Sequence, residues 1–306
     1  MATFFVGWPW LWAAPWTRLH HFLASGTQRQ TIHVFYWGQV WADRDVPWHY
    51  PVVMFLVTIP LGLLLLGCLG IWSKRRSLRC DSLCAGSAGT LVFVLVTFML
   101  PGAPVYDGVR LFLMTFPLWA VFVGIGAKWL VGASVPVWQR RHLGLRMAVV
   151  ALLVAAQGFG LLAYHPCYLS YYNLLVGGLP GAERLGFEMC YWGDALVEPI
   201  LAEAMRHSGG KPVLMMPSLA PFHGPGVRMS SPALADHRVD LMDGTARSTA
   251  DGVGPRCLLV YRRRADLPPS SGSDQEGRVL AEYRKQGVWL SRVVELPEPP
   301  TSTRHR

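Results

Sequence analysis

Acidic side chains are scarce in the first half of this chain. The first 164 of its 306 residues hold four, Asp43, Asp45, Asp81 and Asp107, against 12 Lys or Arg. Over the whole sequence 15% of residues are charged and 52% hydrophobic, with a mean hydropathy of +0.28. A soluble protein of this size carries nearer ~25% charged residues. The shortage excludes a wholly soluble protein and implies a chain embedded in a membrane, at least in part.

Other absences narrow the reading. No basic region opens the chain, so the N-terminus is not expected to be a signal peptide. A net charge of +9 raises nucleic-acid binding, but no basic patch with interleaved aromatics supports it beyond Arg262, Arg263 and Arg264. That triplet follows the strand-like run CLLVY and reads as a solvated strand end. Cys167, Cys190 and Cys257 follow the apolar region, and three thiols leave at least one unpaired, so no disulfide framework is implied. Cys80 and Cys84 have no second pair, and His142 alone makes no metal site. The apolar segments lack the interior polar residues that a transporter or channel carries, which ranks that class last.

What is present is a set of long apolar runs. Tyr50–Trp72, Leu83–Leu100, Leu111–Val131 and Met147–Tyr164 each approach the roughly 20 residues a bilayer crossing needs. Lys128 is the only full charge inside them and lies near an end; buried helices of a large soluble core are the bland alternative. Lys74, Arg75, Arg76 and Arg79 fall between the first two runs, and Lys128, Arg140, Arg141 and Arg146 cluster around the gap between the last two. The positive-inside rule puts both loops in the cytoplasm. The expected fold class is an α-helical integral membrane protein of about four transmembrane helices with a small C-terminal α/β extracytoplasmic domain, located in the cell's inner membrane.

The flanking regions follow from that orientation. Residues 1–49 hold Trp8, Trp10, Trp12, Trp16, Trp37, Trp41 and Trp48. They read as an extracytoplasmic interfacial segment in which TRLHHFLAS is a short amphipathic helix, or as a groove for a lipid or sugar. Residues 165–296 alternate helix-like ALVEPILAEAMRHSG and EGRVLAEYRKQG with strand-like CLLVYRRR and VWLSRVVEL, as a small α/β domain does. Residues 297–306 read as disordered.

Between the second and third runs lies PGAPVYDGVRLFL. Pro101 and Pro104 stop one helix, Asp107-Gly108 gives a turn, and Asp107 is placed to N-cap the next helix. Arg110 then sits in the first turn of a membrane helix at the outer interface. There it is a site for a lipid phosphate, a snorkelling anchor or a salt-bridge partner of Asp107. Asp43 and Asp45, a carboxylate pair above the first run, read as ordinary loop carboxylates. In the tail, His165, Tyr171, Tyr172, Asn173, Glu188, Tyr191 and Asp194 offer donors, acceptors and stacking faces suited to a sugar or to packing on the membrane part.

YDGVRLFL running into FPLWAVFVGIGA, with HPCYLSYYNLLVGGLPGAERLGFEMCYWGD and GQVWADRDVPWHYPVVMFLVTIPLGLLLLGCLGIW, resembles the C-terminal half of bacterial GT-C superfamily membrane glycosyltransferases, the branch similar to protein O-mannosyltransferases. The resemblance runs from about Trp8 to Asp194. It implies transfer of a sugar from a polyprenyl-phosphate donor to an extracytoplasmic acceptor, with Arg110, Asp107 and Tyr106 as donor-binding candidates. The family's acidic residue, a base or a contact for a divalent cation, belongs to an earlier loop that this chain is expected to lack. The family's His after the Arg is Leu111 here. A non-catalytic membrane scaffold that binds lipid or glycan is the alternative.

Overall fold

Prolines open the first helical elements, since a first-turn residue has no intrahelical use for the N–H that proline lacks. The computed structural model describes residues 6–27, 31–76, 81–132, 143–219, 223–236, 241–243, 255–267 and 277–296. Pro9 starts a 3-10 turn (Pro9–Leu11) and Pro15 starts α1 (Pro15–Thr27). Both belong to a unit formed by Met1–Ile32. Within it Trp8 stacks on Trp10, the edge of Phe22 meets Trp8, and the Arg18 guanidinium lies 5.3 Å from the centre of the Trp10 ring. Trp12, Trp16 and Leu23 are exposed.

The second unit, His33–Arg306, begins with a hairpin of β1 (His33–Tyr36) and β2 (Gln39–Ala42). Its two-residue turn, Trp37-Gly38, has both residues in the left-handed region that matches strand twist. The expected continuous helix Tyr50–Trp72 is instead two helices, α2 (Tyr50–Thr58) and α3 (Leu61–Lys74), bent by 113°. Pro60 is the cause, because it removes the N–H that Leu56 O would accept from. Asn173 repairs the break: its Nδ2 donates to Leu56 O at 2.7 Å and Ile59 O at 2.6 Å, and its backbone N–H to Val57 O at 2.8 Å.

Three more apolar helices follow, α4 (Ser82–Met99), α5 (Thr115–Val131) and α6 (Leu143–Tyr164). Asp81 N-caps α4 by accepting from Cys84 N at 3.2 Å. α5 starts at Thr115 rather than Leu111 because Arg110–Phe112 is a 3-10 turn. α3 and α5 meet backbone to backbone: a Cβ on Gly70 would overlap the Phe122 carbonyl, and one on Gly126 the Leu66 carbonyl. Small residues at a helix crossing are a membrane packing device. α4 and α6 are long and apolar enough to cross a membrane, and the pair α2 and α3 adds a third crossing if it is one broken span; α5 is apolar but 17 residues long.

The C-terminal part is a mixed five-stranded sheet in the order β4-β3-β5-β7-β6. β3 (Val213–Met216) runs parallel to β4 (Leu241–Asp243) and β5 (Cys257–Tyr261), and β7 (Val288–Glu295) runs antiparallel to β5 and β6 (Val279–Lys285). Two short helices, α7 (Gly178–Arg184) and α8 (Glu198–Ser208), precede it. α8 buries Ile200, Leu201, Ala204, Met205 and Ser208, one helical face, and ends at Gly209 in the left-handed region. The expected helix EGRVLAEYRKQG is instead β6 and its turn. Gln286 and Gly287 both take positive φ, which makes a hairpin, and pairing with β7 overrides the helix propensity of Ala, Glu and Arg.

The core is continuous, from Tyr50 and Phe55 in α2 through Tyr172 and Phe187 to Leu259 and Val293 in the sheet. Short helices α9 (His223–Ser230) and α10 (Pro232–Asp236) complete the described chain. Arg79, Cys80, Arg140, Arg141, His142 and the expected tail 297–306 lie outside the described residues.

Candidate functional site

The turn between α4 and α5 draws in residues from the rest of the second unit. Asp107 takes φ +55 and Gly108 φ +67. Left-handed backbone is tolerated by Asp better than by most side chains and by Gly freely. This geometry aims the Asp107 carboxylate inward, where 5% of the side chain is exposed. Oδ2 accepts from Trp192 Nε1 at 2.8 Å and Arg110 Nη1 at 3.2 Å, and Oδ1 accepts from Arg263 Nη2 at 3.3 Å. Asp107 therefore does not cap α5, whose N-cap position is Met114 with no side-chain bond. It ties three segments together instead.

Arg110 is the outward member of the group. Its side chain is 53% exposed, and its guanidinium lies 4.8 Å from the centre of the Trp192 ring and 5.8 Å from that of Tyr106. One nitrogen is paired with Asp107 and the guanidinium lies over an aromatic ring, while about half of the side chain stays exposed. Such a group suits an oxyanion, which guanidinium binds through paired N–H donors. Beside it is a cavity of about 210 Å³, lined by Asp107, Thr58, Tyr168, Tyr171, Tyr172 and Tyr191 among others.

Arg263 is the inner cation and corrects the reading of the Arg triplet as solvated. Arg262 and Arg263 are buried, Arg262 paired with Glu183 and Arg263 with Asp107 and with Asp266 at 2.6 Å. Glu188 fixes the turn that carries them, accepting from Arg264 N and Ala265 N at 2.8 Å each and from Met189 N at 3.1 Å. Burial nevertheless pushes its carboxyl up to about 7, against the pull of those N–H groups and of Arg263. Burial raises Asp194 to about 7 as well. Its Oδ1 accepts from Tyr191 N at 2.9 Å, and its Oδ2 is shut off from solvent without a partner among the described residues.

The other expected sugar-site residues divide. Tyr171, Tyr172 and Tyr191 reach the cavity beside Asp107. Asn173 is spent on the broken helix, and the Tyr172 hydroxyl donates to Glu188 O at 2.8 Å. His165 lies at the end of α6 with its Nδ1 2.8 Å from the Tyr168 hydroxyl. Asp43 is buried, with its carbonyl accepting from Val105 N, while Asp45 is exposed. Trp192 and Arg263 are the functional neighbours that residue-by-residue reading missed. The WGD turn was a visible signal for the first; nothing local marked the second.

Chemically the group is a paired cation beside a small, tyrosine-lined cavity. Among the described residues the oxygens of Asp107 and Glu188 are engaged by donors, and Asp194 Oδ2, which has no partner, is shut off from solvent. Among the described residues no cluster of His, Cys, Asp and Glu is arranged to hold a metal ion. No protein-family model, curated protein or solved structure matches the chain.

Proposed function

We propose that this protein is a membrane glycosyltransferase of the GT-C type, or the lipid-binding portion of one, and that Arg110 holds the phosphate of a polyprenyl-phosphate sugar. The observation that supports this reading is the Arg110 guanidinium itself, held by Asp107 and Trp192 at the entrance to an apolar helix. In this reading the membrane is crossed by α4, α5, α6 and the broken pair α2 and α3, both basic loops are cytoplasmic, and the sheet lies outside the cytoplasm. The Trp-rich unit of Met1–Ile32 then rests in the interface.

A second reading, binding without transfer, is favoured by one feature: the carboxylate paired with Arg110, that of Asp107, is already engaged as an acceptor by Trp192 and Arg263. These readings are tested by reconstitution of the purified chain with a radiolabelled polyprenyl-phosphate hexose and a membrane-derived acceptor mixture. Sugar transfer supports a complete enzyme, binding with no label passed to acceptor supports the binder or the lipid-binding portion of an enzyme, and no retention of the lipid rejects all three.

A further inference from the structure

A second cavity, of about 410 Å³, lies between α3 and α6, within the usual range for a small-molecule site. Leu61 and Leu65 of α3 face Leu153 and Phe159 of α6 across it. α6 is one of the two helices able to cross a membrane and is exposed along nearly all its length. In a bilayer the mouth of this cavity meets hydrocarbon. Its apolar walls suit an apolar occupant.

Polar groups gather at one end. The Tyr164 hydroxyl, at the last residue of α6, donates to Gln286 Oε1 at 3.0 Å, and Lys285 Nζ donates to His165 O at 2.6 Å. The tip of the β6–β7 hairpin is thus fastened to the end of α6 and roofs the cavity. The amides of Gln286, which accepts from Tyr164, and of Gln157, whose nitrogen donates to Leu153 O, both line the cavity. Gly62 leaves room for Gln157, since a Cβ there would lie 2.7 Å from its amide nitrogen. No described residue lining the cavity carries a charge. The nearby Lys285 ammonium is turned onto His165 O and is not part of the lining, so a phosphate meets no cation inside the cavity, whereas an ester carbonyl meets the neutral amide of Gln286.

We infer that the α3–α6 cavity binds an acyl chain of a membrane phospholipid, with the ester group at Gln286 and Tyr164. This is a site separate from Arg110: Tyr171 and Tyr172 line both cavities and form the wall between them. The inference rests on the membrane part of the proposed function and not on sugar transfer.

The test uses the purified full chain in vesicles containing a phosphatidylcholine with a photoactivatable acyl chain, after flotation has shown that the chain embeds. Labelling is expected to concentrate on Leu153, Gly160 and Leu65 rather than on outward-facing Leu152 and Leu162. Ala156→Phe, which fills the cavity, should lower it at least five-fold, and Gln286→Ala should lower it less. Excess polyprenyl phosphate and Arg110→Ala should leave it unchanged. Uniform labelling along α6, full competition by polyprenyl phosphate, or no effect of either substitution in protein that still floats would overturn the site. A chain that fails to float would overturn it together with the membrane reading, whereas cavity labelling without sugar-lipid binding would overturn only the Arg110 reading.

Discussion

Asn173 satisfies three carbonyls of a helix end that precedes it by more than a hundred residues. In the sequence it is one polar residue in SYYNLLVGG, as suited to a sugar as to packing, and nothing local says that its partners are Leu56 and Ile59. Substitution by Ala leaves two carbonyls without their donor at about 1–3 kcal/mol each. Asn173→Ala is therefore expected to lower stability by at least about 2 kcal/mol, read as a lower thermal midpoint in detergent. An unchanged midpoint would mean that Pro60 does not depend on it.

Glu188 makes a pH prediction. Its folded carboxyl titrates near 7, above the ordinary value near 4.5, so the folded chain holds that proton more tightly than the unfolded one. The resulting stabilisation is complete below the unfolded value and is lost as pH rises through about 7. Asp194 acts in the same direction. The thermal midpoint should fall between pH 5 and pH 8, and Glu188→Gln should remove about half of that slope. The variant should also be less stable overall, because a Gln amide turns an NH2 group toward one of the three N–H donors. A slope unaltered by Glu188→Gln would assign the titration to other groups.

Among the elements, the helices were largely legible and the sheet was less so. Runs of apolar residues located α4, α5 and α6 to within a few residues, because hydrophobicity sustained over that length has few other outcomes. The same signal ran through Pro60 without registering that a lone proline, with Asn173 to satisfy the freed carbonyls, bends the chain by 113°. β6 was misread because Ala, Glu and Arg favour helix locally and only its pairing with β7 decides otherwise.

The α3–α5 crossing offers a controlled test at this scale. Gly126→Ala places a Cβ against the α3 backbone, whereas the Cβ of Gly124→Ala meets nothing within 4 Å. Overpacking of a core costs about 1–3 kcal/mol where side chains can adjust, and a clash with backbone costs more. The first variant should be clearly destabilised and the second close to the parent. Equal behaviour of the two would refute backbone-level packing of these helices.

For the whole molecule, the two basic clusters and the apolar runs carried the expectation of a membrane protein. The site came only partly with them. Arg110, Asp107 and Tyr106 are neighbours in the chain, but Trp192 and Arg263 reach Asp107 across 85 and 156 residues. In the proposed orientation, single cysteines introduced at positions 270 and 77 of a cysteine-free variant should differ in intact cells. An impermeant thiol reagent should label the first and spare the second, and the reverse pattern would invert the topology.

The most direct measurement is the affinity of the purified chain for a polyprenyl phosphate, compared among the parent, Arg110→Lys and Arg110→Ala. A guanidinium held on Trp192 by Asp107 binds phosphate through paired N–H groups that an ammonium does not reproduce. Both substitutions should weaken binding at least ten-fold, with the Lys variant close to the Ala variant. Full affinity in Arg110→Lys, or binding indifferent to either change, would make Arg110 an interfacial anchor and contradict the phosphate site.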